Sequence, residues 1–167
     1  TPAVHLFTQS GGKLKFRDKD QVFIPNMYPS DQISIGSCNG DFELDDIITN
    51  TSKTLKEFLN IEETNYDDLK IKCPKDKEIR NIWLLPSDIA IGKTKPFVDY
   101  QNDATAKDIK LALREGFKSI EPVKRYTTTG MGTDQGKLGN MHALGIISET
   151  AGAKMGELGT TTFRPPY

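Results

Sequence analysis

Short apolar–polar alternations open the chain, and longer helical periodicities close it. "AVHLF" (3–7) and "KLKF" (13–16) read as strands on either side of the turn "SGG", and "QVFIP" (21–25) reads as a third that ends on its proline. "QISIGSCNGDFELDDIITNTSKTLKEFL" (32–59) follows as strand, tight turn and helix, with Asp41 placed to cap the helix. Leu44, Ile48, Thr51, Leu55 and Phe58 or Leu59 fall on one helical face. Acids in its first turns and lysines in its last suit the helix dipole.

From 60 to 81 the composition turns polar and reads as a linker. "IRNIWLLPSD" and "PFVDYQ" look extended, with Trp83 the expected core anchor between them. Thr105 then caps a helix through Glu115 with Ala106, Ile109, Ala112 and Leu113 inward and Gly116 as its stop. Ser119 starts a second helix that tolerates Pro122 in its first turn. A third helix is expected from about Asp134 to Glu149, with Met141, Gly145, Ser148 and Gly152 on a face of mostly small residues. The predicted class is α+β. A short mixed sheet with a capping helix precedes a compact three-helix module.

Composition narrows the function. The 167 residues, 36% hydrophobic and 27% charged, have room for one domain or two small ones. A net charge of −1 argues against a general nucleic-acid or membrane-surface binder. No apolar run approaches the roughly 18 residues of a membrane span. Cys38 and Cys73 are isolated, which fits a reducing cytoplasm and offers no disulfide framework. His5 and His142 have no partners at ligand spacing, and His142 is expected to be structural. The chain opens inside an apolar run and closes on "TTFRPPY", so both ends read as cuts through a longer polypeptide.

Two stretches carry candidate chemistry. In "VKRYTTTGMGTDQGKLGNMHA" (123–143), Gly130, Gly132 and Gly136 let backbone amides turn inward. Lys124, Arg125 and Lys137 add positive charge, and Thr127, Thr128 and Thr129 add hydroxyls. That set suits a phosphate or another anionic cofactor group. The competing reading is an ordinary capped interhelical loop with solvated lysines. The GxxxxGK[ST] order of a P-loop is absent. In "SIGSCNG" (34–40), Gly36, Ser37, Cys38 and Asn39 form a turn that could receive a pyrophosphate, or simply join a strand to a helix. No G-x-G-x-x-G accompanies it. Asp99, Asp103 and Asp134 read as caps or surface carboxylates rather than acid/base catalysts, and Cys38 as a small buried thiol.

At "SIGSCNGDFEL", "KPFVDYQNDATAKDIKLALREGFKSIEPVKRYTTTGMGTDQGKLGN" and "GTTTFRPPY" the chain resembles the alpha subunits of heterotetrameric sarcosine oxidases. The resemblance implies four parts. Residues 1–60 would end a nucleotide-binding region that carries NAD, and 61–95 would be linker and strand. Residues 96–155 would form a helical module, and 156–167 would connect to an aminomethyltransferase-like domain for tetrahydrofolate. The stretch 96–141 is similar to the bacterioferritin-associated-ferredoxin-like module of related amine and amino-acid dehydrogenases. Their C-x-C and C-Q-G-R-x-C motifs hold a two-iron cluster. Here Asp99 and Gln101, then Asp134 and Gly139, stand in place of those cysteines. Such residues are poor ligands for the cluster, so no iron–sulfur centre is expected.

By the same resemblance, a flavin mononucleotide would lie at the interface with a beta subunit, attached to a histidine of that subunit. Lys124, Arg125, Thr127, Thr128 and Thr129 would stand near its phosphate, with Gly130, Met131, Gln135 and Lys137 close by. Gly36, Ser37, Cys38 and Asn39 would face the NAD side. Beta, gamma and delta subunits are the implied partners, and no catalytic acid, base or nucleophile is expected in this chain. A non-catalytic assembly module and the subunit of a proline-type dehydrogenase remain open beside this reading.

Overall fold

The computed structural model describes residues 2–29, 31–61 and 80–160. Most of the expected linker, Cys73 and the "FRPPY" stretch lie outside the described residues. The chain divides into two compact units, 1–80 and 81–167.

The first unit opens with a helix where a strand was expected: α1 spans His5–Gln9. Val4 and Phe7 are buried while Leu6 points outward. That three-residue spacing suits a helical turn and defeats the alternation read from "AVHLF". Gly12 lies under the Phe7 ring, where a Cβ would enter the ring itself. The next two expectations hold. β1 (Lys13–Arg17) and β2 (Val22–Met27) pair antiparallel, with Phe16 opposite Phe23 and their rings edge-on at 5.1 Å. β2 runs through Pro25 rather than stopping there. A two-stranded sheet leaves an edge where a missing N–H costs no ladder bond.

"QISI" forms no strand. It leads into a 3-10 turn, Gly36–Asn39, closed by Gly40 at φ 86°. Helix α2 (Leu44–Leu59) follows, but Asp41 does not cap it. Glu43 stands at that position, and Asp41 instead accepts a hydrogen bond from Asn50. The predicted apolar face is present in α2, yet no residue of the helix is fully buried. The single mixed sheet is therefore corrected to two separate antiparallel pairs, β1–β2 here and another in the second unit.

In the second unit, residues 81–88 of "IRNIWLLPSD" carry no strand, Ile79 lying outside the described residues, and Trp83 is half-buried rather than a core anchor between strands. β3 (Phe97–Asp99) pairs antiparallel with β4 (Ala104–Thr105). Thr105 ends β4 and caps α3 (Ala106–Arg114) in a full capping box with Asp108. Gly116, at φ 100°, stands just beyond the C-cap Glu115. Ser119 precedes α4 (Ile120–Thr127) without a side-chain capping bond. Helix α5 runs Asn140–Ala151, so it starts six residues later than Asp134.

The core of this unit is where the three helices meet. Ile109, Val123, Ile146 and Ile147 are fully buried there, each stabilising the fold by about 2 kcal/mol. Five consecutive residues of α5, Ala143 to Ile147, are buried, so the middle of this helix is wrapped on all sides while its last turn is exposed. Its small-residue face meets an indole rather than another backbone: a Cβ at Gly145 would collide with Trp83. Ser148 bonds back to the Ala153 carbonyl, and Gly152 closes the helix in left-handed conformation. His142 is exposed and stands edge-on to Trp83 at a ring separation of 6.0 Å.

Candidate functional site

The bend from Thr127 to Gly139 joins α4 to α5, and it is built from the inside out. α4 ends in Thr127, whose hydroxyl donates to the Val123 carbonyl at 2.8 Å and meets the Thr129 hydroxyl at 2.7 Å. Thr129 is only 1% exposed. These two threonines are therefore internal fasteners. Thr128 between them turns outward at φ 59°. Left-handed backbone is unusual for a β-branched residue and costs about 1–2 kcal/mol. The bonds on either side hold it there.

Gly130 follows at φ 71°, and its amide donates to Asp99 Oδ2 at 2.6 Å. Asp99 ends β3 and is 6% exposed. Its Oδ1 accepts from the amides of Gln101 (2.8 Å) and Asn102 (3.1 Å), and its Oδ2 also accepts from Asn102 Nδ2 at 3.2 Å. Burial pushes the Asp99 carboxyl up, but these four N–H donors outweigh it and hold the group below the ordinary aspartate range. The amide that the sequence offered to an external anion is filled by the chain's own carboxylate.

Gln101 adds a second tie, donating to Thr133 Oγ1 at 2.6 Å. Its side chain lies against Gly132, where a Cβ would have no room. Further on, Asp134 Oδ1 accepts from Gly136 N and its Oδ2 from Leu138 N, both at 3.1 Å. Asp134 thus caps a turn, not the helix. Gln135 and Gly136 both have positive φ, which excludes helix here and explains the later start of α5. The Asn140 side chain fills the space over Gly130 and Gly136, since a Cβ at either glycine would strike it. Gly139 faces the Val98 carbonyl, 2.9 Å from where a Cβ would stand. Asp99, Gln101, Asp134 and Gly139 therefore gather around one bend.

The outward surface holds the other candidates. Arg125 is two-thirds exposed and pairs with Glu121 at 2.8 Å, one helical turn back. Lys124 is half-buried, Lys137 is exposed, and Gln135 Nε2 donates to the Gly132 carbonyl at 2.9 Å. Met131 is 48% exposed. Outward and inward residues thus divide: Arg125, Thr128, Met131 and Lys137 can meet a ligand, while Thr127, Thr129 and Gly130 support them. Sequence reasoning named Asp99 without foreseeing its partner, because the bond to Gly130 spans 31 positions.

In the first unit, Gly36, Ser37, Cys38 and Asn39 do form one tight turn. Cys38 is half-buried, its thiol 3.6 Å from the Ala3 carbonyl. The turn is tied to the hairpin by Arg17, which donates to the Gly40 carbonyl and pairs with Asp20. A Cβ at Gly40 would occupy the guanidinium's place. Ser37 alone of the four is fully exposed. Among the described residues no three His, Cys, Asp or Glu side chains converge as metal ligands. No helix among them is long and apolar enough to cross a membrane.

Residues 93–167 match the sarcosine oxidase A3 domain family. Over 99% of its length the chain is 36% identical to the sarcosine oxidase subunit alpha of Rhizobium meliloti (strain 1021) and 34% identical to that of Corynebacterium sp. (strain P-1). It spans only 17% and 18% of those two proteins. The crystal structure of L-proline dehydrogenase from P. horikoshii shares the fold with a TM-score of 0.59, covering 99% of this chain and 35% of that one at 21% identity.

Proposed function

We propose a function for a chain that belongs, over residues 93–167, to the sarcosine oxidase A3 domain family and is similar along 99% of its length to sarcosine oxidase alpha subunits. The chain is part of an oxidoreductase subunit. It supplies cofactor contacts and subunit interface to the oxidative demethylation of sarcosine, and it holds no catalytic acid, base or nucleophile of its own. The assembled enzyme is a cytoplasmic heterotetramer with beta, gamma and delta subunits. It carries NAD and tetrahydrofolate in other parts of the alpha subunit, and it has no iron–sulfur cluster in this module.

A flavin mononucleotide fits the outer face of the bend. Arg125 and Lys137 offer charge to its phosphate, and Met131 offers an apolar contact to a ring edge, while the hydroxyl of the exposed Thr128 donates to the Thr127 carbonyl at 2.6 Å and would have to leave it to reach the phosphate. Lys124 and Gln135 border this surface. Thr127, Thr129 and Gly130 serve it from beneath. When bound, the flavin supplies the hydride acceptor for amine oxidation. Gly36, Ser37, Cys38 and Asn39 form the corresponding turn toward the NAD-carrying region.

The single observation that carries the reading is Thr128. A β-branched side chain is held at φ 59° on the surface, beside cations, by buried bonds on both sides. Thr128 also ends α4 as its left-handed C-cap, a position usually given to glycine or asparagine, and strained backbone in a β-branched residue gathers at functional sites. Co-expression with a beta subunit tests the reading. Replacing Lys124, Arg125 and Lys137 together with alanine should lower flavin retained per assembled complex, as read from the visible spectrum. Unchanged retention would overturn it.

A second reading, an assembly module without cofactor contact, is favoured by the side chains of Tyr100 and Leu138, 79% and 78% exposed. Unchanged flavin in the triple variant, together with loss of assembly on replacing Tyr100 and Leu138, would select it. The fold shared with L-proline dehydrogenase supports a further variant of the first reading, in which the amine is proline-like. Turnover of sarcosine against proline by the assembled enzyme separates the two.

A further inference from the structure

The inward side of the bend poses its own question. The Gly130 amide, turned inward where left-handed Thr128 and Gly130 flank Thr129, forms a seat for negative charge. That seat is occupied from within the chain. Asp99 comes from a different element, the end of β3, and its two oxygens take four N–H donors, one of them across 31 residues. Gln101, two residues on, repeats the reach and ties Thr133. An ionised carboxylate is the strongest acceptor available to an amide, and burial at 6% exposure keeps water from competing.

We propose that Asp99 is the positioning residue of this bend. Its carboxylate is the anion the Gly130 amide is built to hold, and by holding it Asp99 sets the direction in which Thr128 and Met131 face. The proposal rests on the reading that this outer face meets a flavin. It goes beyond that reading in giving the inner face a separate task and a separate ligand. It also fixes where an external phosphate can bind: at the outer groups Arg125, Thr128 and Lys137, because the Gly130 amide is taken. Asparagine at position 99 keeps an acceptor of the same shape but loses the charge. Alanine removes both and leaves three backbone amides without their partner.

The test uses the full-length subunit assembled with its partners. Amide hydrogen exchange is followed in the segment 128–134, with helix α3 as an internal reference, and the flavin visible spectrum is recorded on the same samples. Asp99→Ala should speed exchange in the bend about 100-fold, and Asp99→Asn about 10-fold, leaving α3 unchanged. The flavin band should shift in the order Asp99→Ala, Asp99→Asn, parent. Should Asp99→Ala fail to assemble, the 10-fold change in Asp99→Asn carries the test. Exchange in the bend equal to the parent's in the assembled variants would overturn the proposal. Equal acceleration in α3 would also overturn it, by reducing Asp99 to general structural support. Faster exchange confined to the bend, with an unmoved flavin band, would support Asp99 as the holder of the bend while refuting the flavin-facing reading.

Discussion

The carboxylate of Asp99 accepts a hydrogen bond from the amide of Gly130 at 2.6 Å, tying the end of the β3–β4 hairpin to the bend between α4 and α5. The bond has a pH consequence with a definite sign. Burial raises the Asp99 carboxyl and four N–H donors lower it further than burial raises it, so the folded value lies below the unfolded one. A group depressed on folding adds stability that is complete above its unfolded pKa and is lost as pH falls through the folded value. The stability gap between the parent and Asp99→Asn should thus be constant from neutral pH down to about pH 5 and close below the ordinary aspartate range near 3.8. Denaturant midpoints for both proteins across that window measure it. A gap that widens on acidification would contradict the assignment.

Gly130 and Gly152 separate two costs of replacing glycine. Both have positive φ, at 71° and 65°. A Cβ at Gly130 would strike the Asn140 side chain, whereas one at Gly152 meets nothing within 4 Å. Gly152→Ala should cost about 1 kcal/mol, the backbone strain alone. Gly130→Ala adds overpacking and should cost roughly 3 kcal/mol. Thermal unfolding of the two variants measures the difference, and equal losses would remove Asn140 from the account of this bend.

Thr128 should show stability and function pulling apart. Thr128→Gly relieves the left-handed strain and should stabilise the protein by about 0.5–1 kcal/mol. It also removes an exposed hydroxyl from the face assigned to the flavin. Higher melting temperature with weaker flavin retention is the expected pair of results. Thr128→Ala is the reference, since it too loses the hydroxyl's bond to the Thr127 carbonyl, and a glycine variant less stable than the alanine one would show that the backbone at this position is not strained.

Arg125 gives the reverse case. Its pair with Glu121 is exposed and local, so Arg125→Ala should change stability by no more than about 0.5 kcal/mol. Flavin retention should nonetheless fall, and fall less steeply when salt is raised, because screening already weakens the parent. Unfolding curves and visible spectra at two salt concentrations check both halves.

How much of this was legible in the sequence depends on the range of the interaction. The capping box Thr105–Asp108 spans three residues, and the helix it starts was read almost to its end. The two strands of the β1–β2 hairpin are legible one by one, but their pairing is not, because the sequence places its turn at "SGG", ahead of β1. Failures came where a short pattern fits two structures. "AVHLF" alternates well enough for a strand, yet burial of Val4 and Phe7 makes it a helix. Asp134 has the look of a helix cap and does cap, but it serves a turn through Gly136 and Leu138. Gln135 at φ 50° is not a residue from which left-handed backbone can be foretold.

At the site, the ingredients were visible and their pairing was not. Glycines, threonines and cations read in sequence as one anion cradle, but these residues divide between an inner and an outer face. Thr127 and Thr129 look identical to Thr128 in sequence, yet two are buried and one is exposed. Only packing makes that distinction. From the sequence Asp99 reads as a cap or a surface carboxylate, and its local bonds to Gln101 and Asn102 are those of a cap. The bond to Gly130 depends on bringing two distant segments together, which no local propensity encodes.

The most direct test is the distance from the bend to a bound coenzyme in the assembled enzyme. Met131 and Lys137 in contact with flavin mononucleotide, with Asp99 still seated on Gly130 behind them, is the predicted arrangement. A flavin bound elsewhere, with Met131 and Lys137 facing bulk water, would contradict it.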